Sequence, residues 1–306
     1  MTPDELDSAE IRRAFNHAAT HYDAHAVLQR EVADRLLARL DFMTLRPAQV
    51  LDIGSGTGYS LPPLRQRYPD AAISALDVAP AMLHAARARL PAPSWTQRLR
   101  DHLTPAVRPH LHYVCADMAR LPFAERSMNL LWSNLALQWA EDPAATFKEF
   151  QRVLAPGGLL TFSTFGPDTL KELRTAFASI DASPHVNAFI DLHDLGDMLV
   201  NAGFASPVME MEVLTLTYAD LKSLMRDLKG LGAHNAATAR RRGLLGKSAW
   251  SRLEQAYEAH RHQGRLPARF EVIYGHAWAG NRAQREDGRQ VIEFNIAERQ
   301  RWRGRR

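Results

Sequence analysis

Short apolar runs alternate with helical patterns through the middle of the chain. Apolar runs of strand length stand at 50–53, 72–76, 111–115, 128–133 and 159–165, and helical patterns lie at 57–67, 80–90 and 143–154. This alternation is typical of a sheet whose parallel strands are joined by crossover helices. The pattern therefore predicts five parallel strands, with a proline-rich loop at 91–109.

Both ends of the chain add elements to this sheet. Helical patterns at 5–19 and 27–40 precede the first strand, and two more at 169–180 and 191–202 follow the fifth. Two long runs, at 208–218 and 269–278, alternate with the period of two that strands with one polar face show. About 50 basic, helix-forming residues separate these runs, so we predict that they are an insertion between neighbouring strands.

The elements together predict an α/β protein with a doubly wound, mostly parallel, seven-stranded sheet. A helical cap precedes the sheet, and a helical insertion precedes the last strand. The predicted regions are 1–45 for the cap, 46–217 for the α/β core, 218–266 for the insertion, and 267–306 for the last strand and a basic tail.

Composition narrows the class of protein. The 306 residues are 46% hydrophobic and 24% charged, with 17 Gly, 17 Pro and one Cys, which excludes disordered, collagen-like and disulfide-stapled chains. Cys115 has no second cysteine with which to form a disulfide or a thiolate metal site. No apolar run approaches the roughly 18 residues that span a bilayer, and the acidic start lacks the pattern of a signal peptide. We therefore expect a cytoplasmic protein without a membrane span.

Charge is distributed unevenly along the chain. The net charge of +4 is too small to indicate a nucleic-acid-binding protein. Residues 1–225 carry 20 Lys and Arg against 26 Asp and Glu, a net of −6, and residues 226–306 carry 18 against 8, a net of +10. The basic part is either a solvated arginine-rich face or a docking surface for an acidic partner.

A glycine-rich turn follows the first predicted strand. Gly54, Gly56 and Gly58 stand where the chain enters a helical pattern. Glycines let the backbone approach a ligand closely, and a helix start offers unpaired N–H donors. The dinucleotide fingerprint needs its third glycine one position later, where Tyr59 stands. The turn instead resembles the nucleotide-binding loop of class I S-adenosylmethionine-dependent methyltransferases.

The ends of the later strands extend this resemblance. It implies that Asp77 binds the ribose hydroxyls, that Asp117 and Met118 contact adenine, and that Asn134 borders the methionine moiety. Each acid alone is more often a helix N-cap, but four elements in the right order disfavour that interpretation. The other cofactor-binding residues that the resemblance implies are Tyr22, Asp52, Gly54, Ser55, Gly56, Gly58, Val78 and Met82. S-adenosylmethionine is the expected methyl donor, and no metal is expected.

Two of these residues have alternative roles. An acid inside an apolar strand is costly unless it is paired, and the resemblance implies that Asp52 helps to hold the glycine loop. Tyr22 lies between the first two helical patterns. It either closes over the cofactor or packs inside the helical cap.

A closer resemblance covers nearly the whole chain. Segments 15–30, 133–139, 165–174 and 274–278 are similar to the malonyl-acyl-carrier-protein O-methyltransferases of biotin synthesis. The resemblance implies that the acceptor is the free carboxylate of malonyl on an acyl carrier protein, or of malonyl-CoA. A carboxylate is already a nucleophile, so the displacement needs alignment and desolvation more than a general base.

The acceptor suggests two further sets of residues. Arg174 and His276 are candidates for binding the malonyl carboxylate, although each also fits a structural role. Acyl carrier proteins are acidic, so the basic insertion is a candidate docking surface. Its candidate residues are Arg240, Arg241, Arg242 and Lys247. The alternative is that these are exposed side chains on an insertion that packs elsewhere.

Other functions fit parts of the sequence. Segments 165–170 and 194–196 also resemble the mitochondrial complex I assembly factor that modifies an arginine on a protein. Another small-molecule class I methyltransferase is a further alternative. A binding module that keeps S-adenosylmethionine only as a structural ligand would show a decayed glycine loop or ribose acid, and neither is decayed here.

Overall fold

A seven-stranded sheet forms the centre of the molecule in a computed structural model that describes residues 6–89, 111–232, 236, 238, 243 and 245–280. Its strands are β1 Gln49–Ile53, β2 Ala72–Asp77, β3 Leu111–Cys115, β4 Met128–Asn134, β5 Leu154–Phe165, β6 Phe204–Tyr218 and β7 Leu266–Ala279. The strand order is β3-β2-β1-β4-β5-β7-β6. The first five strands are parallel, and β7 runs antiparallel to both β5 and β6. The predicted mostly parallel seven-stranded sheet is confirmed.

Helices surround this sheet in chain order. The helices are α1 Ser8–Ala18, α2 Tyr22–His25, α3 Val27–Arg39, α4 Leu61–Arg67, α5 Pro80–Arg89, α6 Pro143–Val153, α7 Lys171–Ala178, α8 Leu192–Asn201, α9 Leu221–Gly230 and α10 Lys247–Glu258. Helices α1 to α3 form the expected N-terminal cap, and α9 and α10 lie between β6 and β7 as the expected insertion. Within the described residues, every helix is too short or too polar to cross a bilayer.

Both faces of the central strands are buried. Along β4, Leu130 belongs to the hydrophobic core that includes α3, whereas the next residue, Leu131, belongs to the core that includes Phe147 and Phe150 of α6. All four side chains are fully buried. Alternate side chains of a strand point to opposite faces, so coverage on both sides explains why the central strands are continuous apolar runs.

The glycine turn is longer than the sequence pattern predicts. The helical pattern at 57–67 becomes a helix only at Leu61, the first residue of α4. Gly54, Gly56 and Gly58 have φ values of +69°, +53° and +77°, which a right-handed helix cannot accommodate. The chain therefore remains a loop through residue 60.

The predicted turn before β5 is instead an irregularity inside that strand. Met128 pairs with Leu154, but Leu130 pairs with Leu159, so β5 has extra residues at 155–158. Gly157 supplies the positive φ of +74° that this bulge requires. Beyond the bulge, β5 runs in register with β4 up to the edge of the sheet where the glycine loop lies.

Candidate active site

The glycine loop is anchored on the end of the neighbouring strand. The backbone N–H groups of Gly54 and Ser55 both donate to the carbonyl of Leu76, at 2.8 and 2.9 Å. The N–H of Gly58 turns back to the carbonyl of Ser55, at 2.9 Å. These bonds fix the loop at the carboxyl edge of the parallel sheet, where doubly wound proteins bind their ligands.

A second loop crosses close to the first one. A Cβ atom on Gly54 would lie 2.3 Å from the Cβ of Ala136, in the segment that follows β4. The preceding residue, Leu135, is a non-glycine residue with φ of +47°, and its N–H donates to Ser163. Such conformations cluster at binding sites because surrounding contacts have to enforce them.

Asp77 connects the loop to the end of β2. Its Oδ2 accepts a hydrogen bond from the N–H of Gly56 at 2.9 Å, and its Oδ1 accepts one from Ala79 at 2.8 Å. Burial raises the pKa of Asp77 to about 6, although these backbone hydrogen bonds act in the opposite direction. Each carboxylate oxygen can accept a second hydrogen bond, so the group is suited to hold two neighbouring hydroxyls.

An acid and apolar side chains lie beyond Asp77. Asp117 accepts a hydrogen bond from Ala119 N–H through Oδ1 at 2.8 Å. Met82, fully buried, and Met118 line the same cavity. A flat aromatic base fits between such apolar walls, and the acid at the margin can accept from an exocyclic amino group.

The part of the cavity formed by the helical cap and the end of β4 is aromatic and amide-rich. Phe15 of α1 and Trp139 meet edge to face, with ring centroids 5.4 Å apart. Asn134, at the end of β4, accepts from Ser163 Oγ at 2.8 Å and donates through Nδ2 to the carbonyl of Gln29 at 3.0 Å. This end of the cavity is therefore walled jointly by the helical cap and the β4 end.

Side-chain contacts hold the short helix α2 on two sides. Asp23 accepts from Thr57 Oγ1 of the glycine loop at 2.6 Å, and it pairs with Arg89 at the end of α5. On the other side, His25 Nδ1 lies 3.0 Å from a carboxylate oxygen of Asp227 in α9. Helix α2 therefore bridges the glycine loop and the insertion.

These elements enclose one cavity at the carboxyl edge of the sheet. Its lining residues are Ser8, Ile11, Phe15, Tyr22, Gln29, Gly54, Gly56, Leu76, Asp77, Val78, Met82, Ala116, Asp117, Met118, Asn134, Leu135, Ala136, Gln138, Trp139, Phe165 and Leu231. The glycine backbone, the buried carboxylate of Asp77 and the apolar side chains of this cavity fit S-adenosylmethionine. No group of three or more potential metal ligands occurs among the residues that the structure describes.

Known proteins resemble this chain over most of its length. Residues 51–162 match the family model described as a methyltransferase domain. A malonyl-acyl-carrier-protein O-methyltransferase of Laribacter hongkongensis is 53% identical over 292 residues, which cover 94% of this chain and 96% of that protein. A protein of the same name from Nitrosospira multiformis is 54% identical over 278 residues, 89% of each chain.

The chain belongs to the malonyl-acyl-carrier-protein O-methyltransferase family. The solved structure of BH2331 from Bacillus halodurans C-125 shares the fold, with a TM-score of 0.54 at 17% identity over 80% of this chain and 99% of that one. Family membership favours the malonyl resemblance over the alternative resemblance to the complex I assembly factor.

Most of the predicted cofactor residues line the cavity of this family member. Those that line it are Tyr22, Gly54, Gly56, Asp77, Val78, Met82, Asp117, Met118 and Asn134. Tyr22 also packs beside Ala18, Ala79 and Met82, so its packing role is seen directly, and its closure over the cofactor stays a prediction. Burial and the nearby carboxylates of Asp77 and Asp23 raise its pKa, which keeps the phenol protonated.

The other three predicted cofactor residues lie outside the cavity lining. Gly58 packs against Ala86 and Leu61, where a Cβ atom would approach both to 2.9 Å. Ser55 and Asp52 are buried. The loop N–H groups go to Leu76 and Asp77, while Asp52 Oδ2 has no hydrogen-bond partner.

Arg174 and His276 are not brought to the cavity. Arg174 donates to the carbonyls of Pro167 and Thr169, at 2.7 and 3.3 Å, beside a separate groove. His276 faces Thr161 in the middle of β5, several residues before the strand end where the site lies, and burial lowers its pKa. Hydrogen bonds to the preceding turn hold Arg174 beside that groove, and the register of β7 places His276 in mid-strand, so neither residue joins the predicted acceptor site.

The predicted docking residues are only partly described. Arg240, Arg241 and Arg242 lie outside the described residues. Lys247 is exposed at the start of α10. Leu231, directly after α9, is the residue through which the described part of the insertion lines the cavity.

Sequence reasoning missed several of the lining residues. Phe15, Trp139 and Phe165 lie in segments that carry the family resemblance, but the pattern gave them no separate role. Gln29 lies in segment 15–30, which also carries the resemblance, and Leu231 lies in the basic insertion, but neither residue has a local signal of its own. Their contribution depends on how the cap and the insertion pack across the sheet edge, which periodicity does not specify.

Asp52 makes the stability of this family member depend on pH. Burial and the nearby Asp77 raise the pKa of Asp52 to about 8 in the folded protein, against about 4 in an unfolded chain. The folded state therefore retains a proton that the unfolded state has lost, so this carboxyl lowers the free energy of unfolding as pH rises from about 4 to 8.

We expect Asp52→Asn to remove this dependence. Between pH 5 and pH 8, the variant should gain on the order of a few kcal/mol in unfolding free energy relative to the parent protein. Urea denaturation of both proteins at several pH values measures the effect. Parallel pH curves for the two proteins would contradict it.

Proposed function

We propose that this protein transfers the methyl group of S-adenosylmethionine to the free carboxylate of malonyl-acyl-carrier protein, an early step of biotin synthesis in the cytoplasm. The observation that carries the proposal is whole-chain similarity, 53% over 94% of the chain, to a protein of that name. The geometry of the cavity supports it. The groups suited to the cofactor and the aromatic side chains line the same cavity.

The residues that would hold the cofactor follow from the cavity. Asp77 would accept from the ribose hydroxyls, Asp117 would face the adenine edge, and the backbone at Gly54 and Gly56 would lie against the amino-acid end. When bound, S-adenosylmethionine supplies an electrophilic methyl group on a positively charged sulfur. The side chains hold and orient the reactants.

The aromatic part of the cavity suits a carboxylate that attacks as a free anion, without a cation paired to it. Among the lining residues that the structure describes, none is Lys, Arg or His. A close cation would weaken the nucleophile that it bound, because it would stabilise the negative charge in the ground state. Phe15, Trp139, Phe165 and Leu231 exclude water, which favours a displacement in which the negative carboxylate and the positive sulfur neutralise each other. No proton has to be removed.

The basic part of the chain fits an acidic carrier protein. Residues 226–306 carry a net charge of +10, and complementary charge speeds the encounter of two proteins. Leu231 connects this part to the cavity. A carrier docked on the insertion would thus have its prosthetic arm near the aromatic end of the site.

The test is transfer of labelled methyl from S-adenosylmethionine. We expect base-labile label on malonyl-acyl-carrier protein and none on acetyl-acyl-carrier protein, which has no free carboxylate. Binding of S-adenosylhomocysteine without transfer to either malonyl-carrier protein or malonyl-CoA would contradict the proposal.

A second acceptor separates the methyl-transfer step from docking of the carrier protein. Malonyl-pantetheine presents the same carboxylate without the acidic protein. Added salt should lower kcat/KM for the carrier-bound substrate much more than for malonyl-pantetheine, because exposed charges are screened beyond about 10 Å at 0.1 M salt. Equal salt effects on both acceptors would exclude electrostatic docking.

A further inference from the structure

Gln29 presents an unsatisfied acceptor in the wall of the cavity. It lies in the first turn of α3, and it lines the cavity. Its side-chain oxygen, Oε1, is buried and has no hydrogen-bond partner. A buried acceptor without a donor lowers stability, so such an atom in a binding cavity indicates that a ligand supplies the missing donor.

The neighbouring amides are already engaged. Asn134 uses Oδ1 to accept from Ser163 Oγ, at 2.8 Å, and Nδ2 to donate to the backbone carbonyl of Gln29, at 3.0 Å. Gln138 donates to the carbonyl of Leu135 at 2.7 Å. Asn134 therefore fixes the backbone of Gln29 and leaves the Gln29 side chain for the ligand.

The position of Gln29 indicates which part of the ligand it meets. The acids Asp77 and Asp117 mark the nucleoside part of the cavity, and Gln29 is attached to the end of β4 through Asn134. Resting on the proposed function, we infer that Gln29 Oε1 accepts a hydrogen bond from the α-ammonium group of the cofactor's methionine moiety. An ammonium group is a donor with no acceptor capacity, whereas a carboxylate could not donate to this oxygen.

Replacing the amide by an apolar group of similar length tests this contact. By calorimetric titration, Gln29→Met should bind S-adenosylhomocysteine about 10- to 100-fold more weakly, the loss typical of a hydrogen bond to a charged group. Its affinity for 5′-methylthioadenosine, which lacks the amino-acid end, should not change. Gln29→Glu retains an acceptor oxygen and should bind S-adenosylhomocysteine more tightly than Gln29→Met.

The ligand-free protein supplies a readout that separates binding from folding. Because Gln29→Met removes an unsatisfied buried acceptor, the Tm without ligand should stay the same or rise. Gln66→Met, an exposed glutamine on α4, is the matched control and should change neither Tm nor affinity. A lower Tm together with equal losses for both ligands would show that Gln29 is only structural, and would overturn the inference.

A third ligand distinguishes ammonium from carboxylate. Decarboxylated S-adenosylmethionine keeps the ammonium group, so Gln29→Met should weaken its binding as well. Undiminished binding of this ligand would place Gln29 against the carboxylate and overturn the assignment. No malonyl acceptor enters these measurements, so failure of methyl transfer to malonyl-carrier protein and failure of this contact are separate results.

Discussion

Asp77→Ala should abolish activity by removing cofactor affinity. Two hydrogen bonds from ribose hydroxyls to a buried carboxylate would be lost, so the Kd for S-adenosylhomocysteine should rise roughly 10²- to 10⁴-fold. In the parent protein, affinity should also decline as pH falls through about 6, because Asp77 then takes up a proton and loses acceptor capacity. Calorimetric titration at pH 5, 6 and 8 measures both effects.

Matched variants separate this loss from damage to the fold. Asp77 also caps Gly56 and Ala79, so Asp77→Asn, which keeps the size and one oxygen, is the gentler test and should still lose most of the affinity. Asp70→Ala changes an exposed acid just before the same strand and should have no effect. Unchanged affinity in Asp77→Ala would show that the ribose contact is assigned to the wrong residue.

Gly54→Ala should disrupt both the loop and the cavity. The new Cβ atom would lie 2.3 Å from Ala136 Cβ, at a backbone φ of +69°. Overpacking and the left-handed backbone together should lower the free energy of unfolding by roughly 2–5 kcal/mol. Displacement of either loop should also remove measurable cofactor binding. Urea denaturation and calorimetric titration test the two parts.

Other glycines with positive φ serve as controls. Gly157→Ala has the same kind of backbone, at φ of +74°, but nothing within 4 Å of the new Cβ. This variant should lower the free energy of unfolding by only about 1–2 kcal/mol and leave cofactor affinity unchanged. Gly56→Ala is likewise free of clashes, but Gly56 lines the cavity. This variant should therefore lose cofactor affinity, while its free energy of unfolding should fall only about as much as that of Gly157→Ala. Equal stability losses at Gly54 and Gly157 would mean that the close approach to Ala136 is unimportant.

Strand ends made the cofactor side of the site predictable. Asp77 follows one apolar run directly and Asp117 stands two positions after the next, and the carboxyl ends of parallel strands meet at one edge, so local sequence places both residues at the same cavity. The predicted strand at 269–278 does not specify where His276 lies across the sheet. Because β7 runs antiparallel to β5 and His276 pairs with Thr161, the residue lies in mid-strand. Arg174 lies in α7, and its hydrogen bonds to the carbonyls of Pro167 and Thr169 depend on how the chain turns between β5 and α7.

Contacts between distant segments could not be derived from the pattern. Gln29 enters the cavity because α3 is hydrogen-bonded to Asn134, 105 positions later in the chain. Asp52 illustrates a different limit of prediction from sequence. Its apolar neighbours correctly indicate a buried strand, but only the three-dimensional arrangement shows that the loop N–H groups turn to Leu76 and Asp77 instead.

The short helix α2 has a consequence for ligand exchange. Four residues cannot sustain a helix by themselves in water, so its order depends on the ties of Asp23 to Thr57 and Arg89 and of His25 to Asp227. Partly exposed hydrogen bonds and ion pairs of this kind contribute little each, whereas the central strands β1 and β4 are largely buried. Opening α2 therefore needs far less free energy than unfolding the core. We therefore expect ligand exchange at this edge to disturb α2 and its few contacts before it disturbs the central strands.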